Sequence, residues 1–123
     1  MNLYASREDY LEAIWVLYKK FGSVRSVDIA RHMGVSKPSV CHAVNVLCDG
    51  GFLTKDDKHF ISLTEEGRKV AEKIYERHKF FKEQLISAGV RPNIAETEAC
   101  RIEHCISDES FLKLKEYREK GKG

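Results

Sequence analysis

Cys100, Glu103 and His104 stand at i, i+3 and i+4. On a helix these positions project from one face, about a turn apart. A thiol, a carboxylate and an imidazole are all ligands for transition-metal ions. Two further segments carry ligand types in helical register. Asp9 and Glu12 form an i, i+3 pair, and His78 interrupts an apolar helical stripe. A metal ion could tie the three segments together. Taken singly, each has a plainer reading. His78 reads as a satisfied core histidine, Asp9 and Glu12 as solvated carboxylates, and Cys100, Glu103 and His104 as a buried thiol with two surface polar groups. The joint pattern, six ligand-type residues at helical spacing on three helices, favours the metal. Cys41 and Cys48 lie seven apart and read as small core hydrophobes. Cys105 neighbours the ligand face and is left out of the set.

The elements that must position these residues follow from caps and periodicity. Ser6 caps a first helix, with Glu8 and Asp9 in its first turn. Tyr10, Ile14, Leu17, Tyr18 and Phe21 give its 3.6-residue stripe, and Gly22 ends it. Ser26 caps a short second helix that ends at Gly34. Ser36 caps a third, with Pro38 in its first turn and Val40, Val44, Leu47 and Cys48 facing inward. Two short helices joined by a tight Gly turn predict a helix-turn-helix. Phe52–Lys55, a polar turn and His59–Leu63 then read as a hairpin, which makes the module a winged helix. Thr64 caps the longest helix, with Val70, Ala71, Ile74, His78, Phe81 and Leu85 on its buried stripe and Gly67 weakening its first turn. Pro92 opens a helix expected to run to about Ile106. Ser107 caps a last one, with Phe111, Leu112, Leu114 and Tyr117 as apolar contacts.

The fold class is therefore mainly α. A winged helix-turn-helix DNA-binding domain over 1–63 precedes a helical metal-binding and dimerisation domain over 64–123. The later helices are too few and too amphipathic to close a core alone, which points to a homodimer. At 123 residues the chain can bury a core without disulfides, so the four cysteines are expected as free thiols or ligands. No apolar run approaches the roughly 18 residues of a membrane span, and no signal peptide is visible. A cytoplasmic location with no membrane contact is expected. The net charge of +2 gives no general attraction to nucleic acid, so DNA binding must rest on local arrangement.

The chain resembles the iron- and manganese-dependent repressors, the group of the diphtheria-toxin repressor and the manganese-transport regulator. The resemblance runs from about Ser6 to Leu114. Its carriers are Arg7-Glu-Asp-Tyr-Leu-Glu12, Val27-Asp-Ile-Ala30, Val35-Ser-Lys-Pro-Ser-Val40, Leu63-Thr-Glu-Glu-Gly67, Arg77-His78, Glu98-Ala-Cys-Arg-Ile-Glu-His104 and Ser107-Asp108. It implies that Asp9, Glu12, His78, Cys100, Glu103 and His104 are metal ligands, and that the output is repression of metal-uptake genes. Asp9 matches the manganese branch and Cys100 the iron branch. A second site of the iron branch uses neighbouring positions that here carry Lys82 and Glu96, and a protonated Lys82 cannot ligate. The chain resembles the shorter architecture that lacks a C-terminal SH3-like domain.

The expected cofactor is a divalent transition metal, Fe(II) or Mn(II), with Co(II) or Zn(II) as substitutes in vitro. Thiolate favours the softer ions and carboxylates suit Mn(II). The expected partner is double-stranded operator DNA. Ser36, Lys37, Pro38, Ser39 and His42 fall on the side of the third helix away from its apolar stripe. The serines and His42 suit base edges, Pro38 a thymine methyl, and Lys37, Lys58 and His59 the phosphates. Asp56 and Asp57 work against close approach of the wing. The rival reading is a winged-helix regulator that senses no metal. A metallohydrolase needs an open coordination position, a base and a pocket, and the chain shows no Gly-rich phosphate loop and no Ser/His/Asp arrangement.

Overall fold

The computed structural model describes residues 6–121. It divides into two compact units, Met1–Lys73 and Ile74–Gly123. In the first, α1 (Arg7–Phe21), α2 (Ser26–Met33) and α3 (Lys37–Asp49) precede β1 (Leu53–Lys55) and β2 (Ile61–Leu63). The helix α4 (Glu65–Ser87) begins in this unit and continues into the second, which adds α5 (Pro92–Ile102) and α6 (Asp108–Gly121).

Local chemistry sets the first unit. Ser6 and Asp9 form a capping box at the start of α1, each binding the other's backbone N–H. The α2–α3 turn needs a left-handed residue, and Gly34 supplies it at φ 69°. Ser36 caps α3 and Pro38 sits in its first turn. The second helix starts one residue earlier than its serine suggested. Arg25 is the N-cap, and the Asp28 carboxylate accepts from its backbone N–H at 2.9 Å. The strands pair antiparallel with Thr54 opposite Ser62.

Ile14, Leu17, Val24, Ile29, Val40, Val44, Leu47, Leu53 and Ile61 fill one core. Tyr18 and Phe21 instead stand exposed, because the buried stripe of α1 rotates onto Leu11 and Ala13. Cys48 packs against the core, whereas Cys41 is exposed on α3, contrary to its reading as packing. Gly67 is present for closeness rather than flexibility. A Cβ there would lie 2.0 Å from the Phe52 carbonyl oxygen, so the wing seats directly on the first turn of α4.

The second unit has far less apolar burial. Ile74, Ala95, Ala99 and Phe111 are its buried hydrophobic residues, and Phe80, Phe81 and Phe111 pack edge-on or tilted. Leu112, Leu114 and Tyr117 of α6 face outward, so within one chain they are not the contacts expected of them. The helix α5 ends at Ile102, four residues short of the expected Ile106, and the chain turns through 103–106. Among the described residues, no helix is long and apolar enough to cross a membrane.

Candidate metal centre

His78 lies on α4, one turn beyond Ile74 on the inner stripe, and is buried. Its two ring nitrogens face different partners. Nδ1 lies 3.0 Å from Glu103 Oε2 and 3.6 Å from Cys100 Sγ. Nε2 lies 3.0 Å from Glu96 Oε1. His78, Cys100 and Glu103 each offer a ligand atom, and these atoms all lie within 4.8 Å of one another. Cys100 sits on the last turn of α5. Glu103 and His104 follow the helix rather than lying on it, yet Glu103 keeps a right-handed helical backbone as C-cap. That is why the i, i+3 relation of Cys100 and Glu103 survives the earlier helix end.

Glu103 is fully buried, and its Oε1 makes no hydrogen bond. His104 Nε2 stands 3.3 Å from that oxygen without forming a hydrogen bond to it. A buried carboxylate oxygen without a donor is costly. A cation would remove the cost. Donors of N, S and O type around an unsatisfied carboxylate fit a divalent transition ion.

The electrostatics of His78 agree with a cation-seeking site. Hydrogen bonding with Cys100, then with Glu103 and Glu96, pushes its pKa up to about 11 against the lowering effect of burial. Burial would raise the Glu96 carboxyl, but hydrogen bonds from Lys82 and His78 overcome it and hold the group below the usual carboxylate range.

Sequence reasoning missed the residue that holds this turn in place. Arg77 is buried beside His78. Its Nη1 donates to the Ile106 carbonyl at 2.6 Å and the Glu103 carbonyl at 3.3 Å, its Nη2 pairs with Asp108, and its guanidinium lies over the Phe111 ring. The available signal was position. Arg77 falls between Ile74 and Phe81 on the inner stripe, where an unpartnered charge is not tolerated.

Asp9 and Glu12 lie on α1 in the first unit, both half-buried. One Asp9 oxygen, Oδ2, accepts the Ser6 backbone N–H in the capping box at 2.8 Å. In the same unit Lys37, Pro38, Ser39 and His42 are exposed on α3, together with Cys41 and with Asn45, to which the sequence reading gave no role. Ser36 is engaged as the cap, accepting from the Ser39 N–H and donating to Ser39 Oγ at 2.8 Å. Lys58 and His59 are exposed at the hairpin tip, where His59 is left-handed at φ 69°. Asp56 is not mere repulsion. Its Oδ1 accepts the backbone N–H groups of Lys58 and Phe60, each at 2.9 Å, and so shapes the tip.

The profile of the iron-dependent repressor N-terminal DNA-binding domain matches residues 2–59, and that of its metal-binding and dimerisation domain matches residues 64–122. The chain belongs to the iron-dependent repressor family. This is a family of DNA-binding regulators, not of enzymes. The transcriptional regulator MntR of Escherichia coli O6:H1 is 34% identical over 113 residues, covering 92% of this chain and 73% of its own length. An uncharacterised HTH-type transcriptional regulator of Methanocaldococcus jannaschii is 33% identical over 119 residues, 95% of both chains. The solved structure of the manganese regulator SloR superposes with a TM-score of 0.84 at 26% identity. That match covers 95% of this chain and 55% of that one, so the chain spans about half the length of that solved relative.

Proposed function

We propose that this iron-dependent repressor family member is a cytoplasmic, divalent-metal-dependent repressor of metal-uptake genes that binds operator DNA as a homodimer. The carrying observation is the convergence of His78 Nδ1, Cys100 Sγ and the Glu103 carboxylate, with Glu103 Oε1 buried and lacking a hydrogen-bond donor. The full ligand set is the one read from sequence. His78, Cys100, Glu103 and His104 come from the dimerisation domain, and Asp9 and Glu12 from the DNA-binding domain, with the functional boundary near Thr64.

When bound, the ion supplies positive charge and fixed bond directions. This chain's own residues do the rest. Glu103, Asp9 and Glu12 carry like charges, which a shared cation would reconcile. Because the set draws on both domains, metal affinity and operator affinity become coupled, and the coupling is reciprocal. Lys37, Pro38, Ser39 and His42 of α3 read the major groove from the side opposite the core, with Ser36 fixing the helix start. Lys58 and His59 at the wing tip meet phosphate. The outward Leu112, Leu114 and Tyr117 supply apolar area for a second copy.

The test is selection of duplex DNA from a random library, under reductant and without oxygen, followed by titration of Mn(II) or Fe(II). Metal should raise operator affinity by about 5–150-fold, the usual range of allosteric coupling. Affinity indifferent to metal would leave the rival, a winged-helix regulator that senses none.

A further inference from the structure

The side of His78 that faces away from Cys100 and Glu103 is already closed. Nε2 meets Glu96 Oε1 at 3.0 Å, and the other Glu96 oxygen, Oε2, lies 2.8 Å from Lys82 Nζ. Lys82 and His78 are i, i+4 on α4, so they present to Glu96 together. The result is a chain of ammonium, carboxylate and imidazole leading to the ligand nitrogen. A carboxylate on the outer nitrogen of a ligating histidine fixes the ring's orientation and its tautomer.

We propose that Lys82 is the resident cation of this centre: through Glu96 it holds His78 with Nδ1 toward Cys100 and Glu103, and it fills the cation position beyond Nε2, so that each chain takes one metal ion. The proposal rests on the metal reading of Cys100, Glu103 and His78 given above. Glu96 and Lys82 are positioning residues and do not touch the ion. The geometry favours this division of labour. Glu96 is half exposed and could swing outward to solvent, yet both of its oxygens are spent, one on the ring and one on the ammonium. A fixed ammonium at that point also repels a second divalent ion. Replacing it with a carboxylate would instead place two carboxylates beside Nε2, and a second ion there would displace the Nε2 proton and leave the ring bridging the two ions.

The experiment has two arms on the full chain. In the first, metal-free protein is titrated with Co(II) against a chromophoric chelator without oxygen. Wild type should take one Co(II) per chain and Lys82→Glu should take two. In the second, long-range proton–nitrogen spectra of the metal-free protein report the Nε2–H of His78. That proton should be protected from exchange in wild type and in Glu96→Gln, whose amide oxygen still accepts it. Glu96→Ala should lose the protection and weaken Co(II) about 10–100-fold, with unchanged helix content by circular dichroism. A second Co(II) on wild type, a single one on Lys82→Glu, or an Nε2–H indifferent to Glu96→Ala would each overturn the proposal. Wild type that takes no Co(II) refutes the metal centre itself, while the metal-free spectra still judge the role of Glu96.

Discussion

The two units are stabilised by different physics. The first buries a contiguous apolar set from Tyr10 to Ala71 around helices with side-chain caps. The second buries few apolar side chains, and beside them Arg77, His78 and Glu103. Burial of apolar area is non-directional and involves no titrating group. Buried charge holds only while each group has its partner. The first unit is thus held mainly by apolar burial, whereas the second also relies on partnered buried charges. For the proposed regulator this asymmetry means that the fold of the DNA-reading module persists with or without metal, while the buried charges of the other unit answer to it.

The largest effects separate the units by where stability is lost. Leu47→Ala, at a position 1% exposed in the first core, should cost about 2–5 kcal/mol. Denaturant unfolding should register that loss equally with and without Mn(II). Arg77→Ala removes the donor to the Glu103 and Ile106 carbonyls and should cost about 1–3 kcal/mol. It should also weaken metal binding about tenfold or more, the scale seen when outer partners of ligands are removed. Arg77→Lys keeps the charge but not the fork and should restore only part of it. Equal metal affinity in wild type and Arg77→Ala would show that the 103–106 turn holds Glu103 and His104 unaided.

The same asymmetry explains what the sequence could disclose. Caps, the Gly34 turn and the apolar periods of α1 to α3 are local signals, and they located the winged helix. The ligand types near Cys100 were legible because helical spacing groups them. Arg77 was not, since its partners Glu103, Ile106 and Asp108 are 26 to 31 residues away. The end of α5 was missed for a related reason. Past the helix end at Ile102 the Cys105 N–H takes the Ile102 carbonyl and the Arg77 guanidinium takes those of Glu103 and Ile106, so the turn has partners that no local pattern announces. Tyr18 and Phe21 fit a helical stripe by spacing alone, but the buried stripe of α1 runs over Leu11, Ala13, Ile14 and Leu17 instead.

Protons offer the next test. His78 is raised from an ordinary 6.5 to about 11 in the folded chain, chiefly by its Cys100 and Glu103 partners. Its contribution to stability is therefore complete below about pH 6.5 and is lost as pH climbs through about 11. Metal-free protein should lose melting temperature steadily across that window, and His78→Gln should flatten the profile. Metal must displace the Nδ1 proton, so binding should tighten with rising pH and release about one proton from this ring. Calorimetry in buffers of different ionisation enthalpy counts it, and zero release at pH 7 would sink the assignment of Nδ1 as ligand.

Cys100→Glu probes selectivity within the metal-binding unit. A soft thiolate in a set of carboxylates and imidazoles favours Fe(II) or Co(II) over Mn(II). The substitution should raise the relative response to Mn(II), read as the ratio of Mn(II) to Fe(II) concentrations that half-activate operator binding. A ratio that does not move between the two proteins removes Cys100 from the selectivity-setting ligands. Of His78, Cys100 and Glu103, Cys100 is the one exposed to solvent, which suits exchange of its side chain without repacking.

The smallest expected effect belongs to the scaffold. Lys37 is exposed on the first turn of α3, beside a capped helix start whose backbone N–H groups also favour phosphate. A lysine there is a point charge for the DNA backbone, not a reader of bases. Lys37→Ala should weaken binding to operator and to unrelated duplex alike and lower the slope of log affinity against log salt by about 0.9, one phosphate contact. The metal concentration needed for activation should stay the same, because Lys37 shares no partner with the centre. His42→Ala, further along the exposed side of α3, should keep the salt slope and relax preference at a base position instead. A Lys37→Ala protein with unaltered salt slope, or one whose metal requirement shifts, would mean that α3 either stands off the backbone or is not the constant element that the contrast between the two units requires.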